Sequence, residues 1–143
     1  MKYLFAFIFA AFLLACGNNV DKSVGEQQIQ SVINDTLNWT TVQWTDSVQN
    51  FGKVTDGEKV MISFHVRNTG SKPLVISSVN ASCGCTVPEK PEAPIAPGEE
   101  GVIKAEFNSA GRVGIASKYV NVVCNTAQQN YTLLFEGEVL PKK

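Results

Sequence analysis

The sequence has few of the side chains on which enzymes and nucleic-acid-binding proteins depend. Histidine occurs once among 143 residues, as His65, so a Cys/His cluster of zinc-finger spacing is missing. No G-x-S-x-G, P-loop or H-E-x-x-H motif occurs in the chain. The 12 basic and 13 acidic residues nearly balance, and lysine and arginine form no cluster. Because these motifs are missing, we expect no enzymatic activity and no cofactor. We also expect no nucleic-acid partner, because phosphate binding needs grouped positive charge.

His65, Trp39 and Trp44 are isolated side chains with two interpretations each. His65 could be a general base, but it lies on the polar side of an alternating segment without an acid or thiol near it in sequence. We interpret it as a surface residue. Trp39 and Trp44 could stack against a carbohydrate, but an aromatic residue at the first strand of a sandwich more often covers the end of the core. The covering role is the favoured prediction.

The chain also lacks an apolar run of the about 20 residues that a membrane-spanning helix needs. A shorter run from Tyr3 to Ala15 follows Lys2, as in a secretory signal peptide. It ends in Leu13-Leu14-Ala15-Cys16, which resembles the lipobox of bacterial lipoproteins. We predict that residues 1–15 are a signal peptide and that Cys16 carries the lipid that binds the protein to a membrane. An ordinary cleaved signal and an uncleaved anchor are the alternatives.

All three interpretations of the N-terminus place the protein outside the cytoplasm. Several acyl chains on Cys16 would hold the protein stably on its membrane. Gly17 stands where an aspartate would resemble an inner-membrane retention signal. We therefore expect a location in the cell envelope, at the outer membrane and facing the periplasm.

Residues 16–40 are polar and rich in Asn, Gln and Ser, with few apolar residues. This composition predicts a lipid-anchored tether with a short helical piece around residues 26–33. The folded domain is expected to span residues 41–143.

Short alternating segments separated by Gly, Pro and Asn characterise residues 41–143 and predict β-strands. In the clearest one, Val60, Ile62, Phe64 and Val66 share one face. It ends at a turn over residues 68–70, where Asn and Gly tolerate positive φ. Further strands are expected at 74–79, 102–107, 119–124 and 131–139, with one or two across 42–54. The same alternation predicts that the inward faces of the strands at 102–107, 119–124 and 131–139 contain Ile103, Ala105 and Phe107; Val120, Val122 and Cys124; and Leu133 and Phe135, with Leu134 on the opposite face. About seven strands in roughly a hundred residues predict an all-β, immunoglobulin-like sandwich.

Three cysteines remain beyond Cys16, and an exported compartment favours their pairing. A Cys83–Cys85 disulfide closes a tight ring with a turn at Gly84, which accepts positive φ, and the strain of that ring favours redox activity. Alternatively, one of the two pairs with Cys124 and fastens a loop to the core. A third hypothesis is Cu or Zn binding by Cys83 and Cys85, which would need His65 and Cys124 to converge on them.

A string of motifs across the domain resembles the bacterial family called domain of unknown function 1573. The motifs are Phe51-Gly52-Lys53-Val54, Gly57-Glu58-Lys59-Val60, Asn68-Thr69-Gly70, Pro73-Leu74-Val75-Ile76, Ser82-Cys83-Gly84-Cys85-Thr86 and Ala96-Pro97-Gly98-Glu99. The family is similar to the Ig-like domains of Hydin and the major sperm protein and is frequent in exported lipoproteins.

The resemblance implies a fold and a location but no established activity. Cys83 and Cys85 match the family signature, whereas Cys124 does not. We therefore expect a lipid-anchored interaction module that presents a sandwich surface or an edge strand to an unidentified envelope protein. The alternative is thiol-disulfide or soft-metal chemistry at Cys83 and Cys85.

Overall fold

Eight β-strands form two four-stranded sheets that pack face to face in the computed structural model, which describes residues 22–143. The first sheet has the order β1-β3-β6-β5, from β1 (Val42–Trp44), β3 (Lys59–Asn68), β6 (Glu100–Asn108) and β5 (Thr86–Glu89). The second has the order β2-β8-β7-β4, from β2 (Val48–Thr55), β8 (Asn130–Leu140), β7 (Gly114–Cys124) and β4 (Ile76–Ala81). This architecture confirms the predicted immunoglobulin-like sandwich.

The core lies between the sheets and is built by the period of two that the sequence displays. Phe64 on β3, Phe107 on β6 and Phe135 on β8 are fully buried. The rings of Phe107 and Phe135 lie 5.7 Å apart, centroid to centroid, and Phe51 of β2 packs on both. The inward faces predicted for β3, β6, β7 and β8 are thus confirmed.

The structure has one strand more than the predicted number. β5 (Thr86–Glu89) contains Pro88, which has no N–H to give to a sheet. It is tolerated because β5 lies at the edge of its sheet and pairs only with β6.

The chain changes sheets between β1 and β2. β1 runs antiparallel to β3, whereas β2 runs parallel to β8 in the opposite sheet. Asp46 lies at the crossing, where its Oδ1 accepts a hydrogen bond from His65 N at 2.5 Å. Its Oδ2 lies 2.7 Å from His65 Nδ1. This contact fixes the link between the sheets to the outer side of β3.

The segment before β1 is more ordered and more deeply packed than a tether. An α-helix, α1 (Lys22–Asn34), is followed by a 3-10 helix over Thr36–Asn38. Ile33 is only 1% exposed, and its carbonyl oxygen accepts hydrogen bonds from Trp39 Nε1 and Gln129 Nε2. Thr40 is also buried, and it forms a bridge with Thr126. Residues 33–40 are therefore packed on the domain rather than being part of a polar tether, whereas the predicted helical piece around residues 26–33 lies within α1.

Residues 1–15 and Cys16, the predicted signal peptide and lipid attachment site, lie outside the described residues. None of the helices in residues 22–143 is long and apolar enough to cross a membrane.

The turn after β3 also differs from its prediction. Neither Asn68 nor Gly70 has a positive φ. Glycine is needed at position 70 because a Cβ there would overlap Thr40 Oγ1 and lie 2.6 Å from Thr41 N. The segment entering β1 passes directly over this turn, so close approach and not backbone conformation selects glycine.

Candidate functional site

The Cys83–Cys85 pair lies where the chain crosses from one sheet to the other. β4 is an edge strand of the second sheet and β5 an edge strand of the first, and Ser82 to Cys85 connect them. The two cysteines form a disulfide, with their Cα atoms 5.2 Å apart. Gly84 between them has no positive φ, and a Cβ added to it would meet nothing within 4 Å. The expectation of a positive φ at this glycine is therefore wrong.

Backbone hydrogen bonds hold the disulfide segment on both sides. Ser82 N donates to Tyr119 O at 2.9 Å, and Tyr119 N donates to Ser82 Oγ at 3.1 Å. Asn108 N donates to Cys85 O at 2.9 Å. The disulfide is thus attached to β7 in one sheet and to the end of β6 in the other.

The two sulfur-bearing residues differ in exposure. Cys85 is 7% exposed and belongs to the buried core, whereas Cys83 is half-buried and packs against the core from outside. Thr86 Oγ1 lies 3.7 Å from Cys83 Sγ and 3.9 Å from Cys85 Sγ. Ser82 and Gly84, the two neighbours of Cys83, are exposed. The disulfide segment is therefore accessible to solvent at Cys83 and buried at Cys85.

Cys124 takes no part in this disulfide. Ile76 pairs with Cys124 at one end of β4, whereas Ser82 beyond its other end bonds to Tyr119. Cys83 is therefore level with position 118, about 20 Å along β7 from position 124. Cys124 is a free thiol in the structure, and a crosslink from Cys83 or Cys85 to it is wrong.

Burial also makes Cys124 a poor nucleophile. Desolvation raises the pKa of its thiol to about 11, and a hydrogen bond with Thr126 Oγ1 at 3.8 Å opposes part of this shift. Because thiolates are the reactive form, Cys124 is interpreted as a core residue.

The residues proposed for soft-metal binding are not brought together. Within residues 22–143, no three His, Cys, Asp or Glu side chains form a group that could hold an ion. His65 lies on the outer side of the first sheet beside Asp46, whereas Cys124 lies in the core. Cys83 and Cys85 therefore lack further protein ligands in the described part of the chain.

The two tryptophans have separate packing roles. Trp44 packs against Tyr131, with ring centroids 5.6 Å apart, and covers the core. Its Nε1 is buried without a hydrogen-bond partner among the described residues. Trp39 instead donates its Nε1 to Ile33 O at 2.9 Å. They do not form a shared stacking surface.

Sequence reasoning missed the pairing of His65 with Asp46, because these residues are far apart in the chain. The imidazole is half-exposed and its Nδ1 contacts the carboxylate, which also accepts from Gln49 Nε2 at 2.8 Å. No signal in the sequence connects position 46 with position 65. The contact holds the segment between β1 and β2 against β3.

A row of apolar side chains crosses the outer face of the second sheet. Val48 on β2 is directly opposite Leu134 on β8, which in turn is opposite Tyr119 on β7. Val48 is 61% exposed, Tyr119 is 45% exposed and Leu134 is half-buried. We call these three residues the apolar row.

Polar rows border the apolar row on both sides. One contains Asn121 and Thr132, joined by a hydrogen bond of 3.1 Å, and the other contains Ser117, Glu136 and Asn50. The alternation in the sequence predicts that Leu134 points outward. Its neighbours in the row, Val48 and Tyr119, could not be identified from the sequence, because they depend on how the strands pair.

The four sheet edges are poorly suited to accept another strand. β1 has three residues, and β5 has four including Pro88. β2 has a bulge between Asn50 and Gly52 with Lys53 next to it, and α1 packs on β4. Short strands, proline, bulges and helical covers are recognised ways of protecting edges. The outer face, rather than an edge, is therefore the exposed apolar feature of the second sheet.

Comparison with known proteins agrees with this fold. A family model described as "Protein of unknown function (DUF1573)" matches residues 42–139. A Porphyromonas gingivalis W83 protein of unknown function is similar in structure, with a TM-score of 0.63 and 17% identity over 73% of this chain and 49% of that one. This chain therefore spans about half the length of that relative.

A second similar structure is the ASH / PapD-like domain 7 of human CEP192, with a TM-score of 0.56 and 12% identity. The match covers 74% of this chain and 89% of that domain. No curated protein matches the sequence. Because the family model covers most of the domain, the chain belongs to the DUF1573 family of proteins of unknown function.

Proposed function

We propose that the protein is anchored in the cell envelope by a lipid on Cys16 and that its Ig-like domain is a non-catalytic protein-interaction module. The observation that carries this proposal is the apolar row. A sheet with one face packed on the core and one face in water normally places polar residues on the wet face. Adjacent exposed apolar residues with a polar border are typical of a surface that binds another protein.

The chemistry around the row indicates what the partner presents. Glu136 lies in the adjacent polar row and has no ion-pair partner among residues 22–143, whereas Glu138 is paired with Lys53 at 2.8 Å. A partner with apolar side chains over the row and a lysine or arginine over Glu136 would match this surface. We therefore propose a folded envelope protein with such a patch as the occupant.

The anchor restricts where that partner can be. The chain from Cys16 to the start of α1 at Lys22 spans at most about 20 Å when fully extended. A lipid on Cys16 would thus keep the domain next to the membrane surface. The partner is expected to be a membrane protein or a protein bound close to that membrane.

Site-specific photo-crosslinking in cells tests the interaction. A photoreactive residue in place of Tyr119 should give one dominant product with an envelope protein, and Leu134→Arg should abolish it. Met61, which is 56% exposed on the outer face of the first sheet, is the matched control position. Equal crosslinking from positions 119 and 61, or no effect of Leu134→Arg, would contradict the proposal.

The lipid anchor has its own test. Metabolic labelling with palmitate should label the wild-type protein and not a Cys16→Ala variant. Absence of label from the wild type would show that the anchor is wrong, without affecting the interaction surface.

The disulfide supports a second function, thiol-disulfide exchange at Cys83 and Cys85. In the loop-entropy relation, a disulfide that closes so short a loop stabilises by only about 1.5 kcal/mol, against 3 to 4 kcal/mol for long loops. Stability alone is therefore a weak reason for this bond. If native protein keeps the disulfide in a glutathione buffer and loses it only in urea, by thiol counting, this second function is wrong.

A further inference from the structure

We infer that thiol exchange at this site has a fixed direction, in which an incoming thiolate attacks Sγ of Cys83 and Cys85 departs. This inference rests on the second proposed function and adds to it the polarity of the disulfide and the class of its co-reactant, a thiol. It is carried by the difference in surroundings between the two sulfur-bearing residues.

Approach to the disulfide is open on one side only. Substitution at sulfur proceeds in line, so the attacking thiolate must arrive opposite the sulfur that leaves. Cys83 is half-buried and lies between exposed Ser82 and Gly84, so a thiol in solution can approach it. Cys85 is 7% exposed and belongs to the core, and the next residue, Thr86, pairs in register with the fully buried Phe107. An in-line attack on Cys85 would require the core to open.

The product of attack also fits one side only. A mixed disulfide adds at least a cysteine-sized group to the attacked sulfur. On Cys83, which is half-buried, that group can extend into solvent. On Cys85, which is 7% exposed, it would have to displace core side chains, and such overpacking is destabilising.

Thr86 is placed to assist the departure of Cys85. Its hydroxyl lies 3.9 Å from Cys85 Sγ and 3.7 Å from Cys83 Sγ, and the residue is buried. It can donate a hydrogen bond to the Cys85 thiolate as the S–S bond breaks, which favours the charged leaving group. Because the two distances are similar, Thr86 would stabilise whichever sulfur leaves, and the direction is set by the exposure of Cys83 and the burial of Cys85.

The exchange balances with thiols as the only co-reactant. The electron pair of the incoming thiolate forms a bond to Cys83 Sγ, the S–S bond breaks, and its pair stays on Cys85 Sγ, which takes a proton from water. A second thiolate then attacks the incoming sulfur and releases Cys83 as a thiolate. Two thiols are oxidised to one disulfide and the protein disulfide is reduced to two thiols. In the reverse direction, Cys83 attacks a substrate disulfide.

The test compares the two sulfurs directly. The full protein with Cys124→Ala is treated with limiting glutathione, quenched with an alkylating reagent and mapped by fragmentation mass spectrometry. Glutathione should be found on Cys83 in at least about tenfold excess over Cys85, in line with the dependence of exchange on access. Equal labelling, or an excess on Cys85, would overturn the inference.

Two single variants measure the direction even if the wild-type disulfide resists reduction. In the same Cys124→Ala protein, Cys85→Ser leaves Cys83 free and Cys83→Ser leaves Cys85 free, so each variant reacts with oxidised glutathione at one sulfur of the pair. Cys83 should react at least about tenfold faster. Similar reaction rates of the two variants would reject the inferred attack at Cys83. If the rates differ but the wild-type disulfide resists reduction, only the exchange function is rejected.

Thr86 provides a second measurement. Thr86→Val, which has the same shape without the hydroxyl, should slow the attack of glutathione on the wild-type disulfide, and Thr86→Ser should preserve the rate. Equal rates in the two variants would remove Thr86 from the mechanism.

Discussion

Replacement of Asn68 by alanine should destabilise the fold more than any change to an exposed polar residue of the sheets. Asn68 ends β3 and is fully buried. Its Oδ1 accepts hydrogen bonds from Thr40 Oγ1 at 2.8 Å and Gly70 N at 3.2 Å. Its Nδ2 donates to Lys72 O at 2.8 Å and to Ile95 O at 2.9 Å. One amide thus joins the segment entering β1, the turn after β3 and the loop before β6.

The expected loss of stability can be worked out partner by partner. Gly70 N and Ile95 O each have a second backbone hydrogen bond and stay satisfied in the variant. The hydroxyl of the buried Thr40 has no other protein partner in the described part of the chain, whereas Lys72 is exposed and water can replace the lost bond to its carbonyl. A buried polar group left unpaired costs about 1 to 3 kcal/mol, so we expect a loss in that range. That is a large share of the 5 to 15 kcal/mol typical of a domain.

Urea unfolding, followed by the fluorescence of the two tryptophans, measures this difference. Asn80→Ala is the matched control, because Asn80 is exposed on β4, and its effect should be within about 0.5 kcal/mol. In a double-mutant cycle, Thr40→Ala should add less to Asn68→Ala than it costs alone, since the two side chains share a bond. A loss below about 1 kcal/mol for Asn68→Ala would refute this account of the network.

Three further predictions concern the core and its N-terminal cover. Gly70→Ala should lower the free energy of unfolding by about 2 kcal/mol or more in urea titrations, because the added Cβ would overlap the segment entering β1. Gly84→Ala should have little effect, because a Cβ there would contact nothing. Ile33→Ala should cost about 2 to 5 kcal/mol and expose α1 to proteolysis, whereas the partly exposed Ile29→Ala should do neither. The buried Cys124 thiol, with its pKa raised from 9.0 to about 11, favours the folded state fully below pH 9 and loses this contribution as the pH rises to 11. The fall in unfolding free energy between pH 8 and 11 should therefore be smaller in Cys124→Ala than in wild type by about 2 kcal/mol, and equal falls would contradict the shift.

The sandwich could be predicted because each long strand alternates by itself. Ile62, Phe64 and Val66 on β3, and Leu133 and Phe135 on β8, point to a buried face before any pairing is known, and all are buried. A period of two is a local property and needs no partner strand. For the same reason the buried position of Cys124 followed from its neighbours on β7.

The features that were missed depend on contacts between distant segments. The docking of Ile33 requires β4 and the loop near Gln129, neither of which is visible from the composition of residues 16–40. β5 was missed because Pro88 argues against a strand until its edge position is known. The choice among three cysteine pairings required the register of β4 on β7, which the sequence does not contain.

Register also relates the two proposed functions to each other. Ser82, which precedes Cys83, exchanges two hydrogen bonds with the backbone of Tyr119, one end of the apolar row. A protein bound over Tyr119 therefore lies one strand spacing, about 5 Å, from the backbone of the disulfide segment. Small thiols need only the open side of Cys83, whereas a protein thiol must also be held in line with the S–S bond. We therefore propose that a partner bound on the apolar row would orient a protein thiol for exchange at Cys83, so that the proposed binding function and the proposed exchange function would act on the same partner.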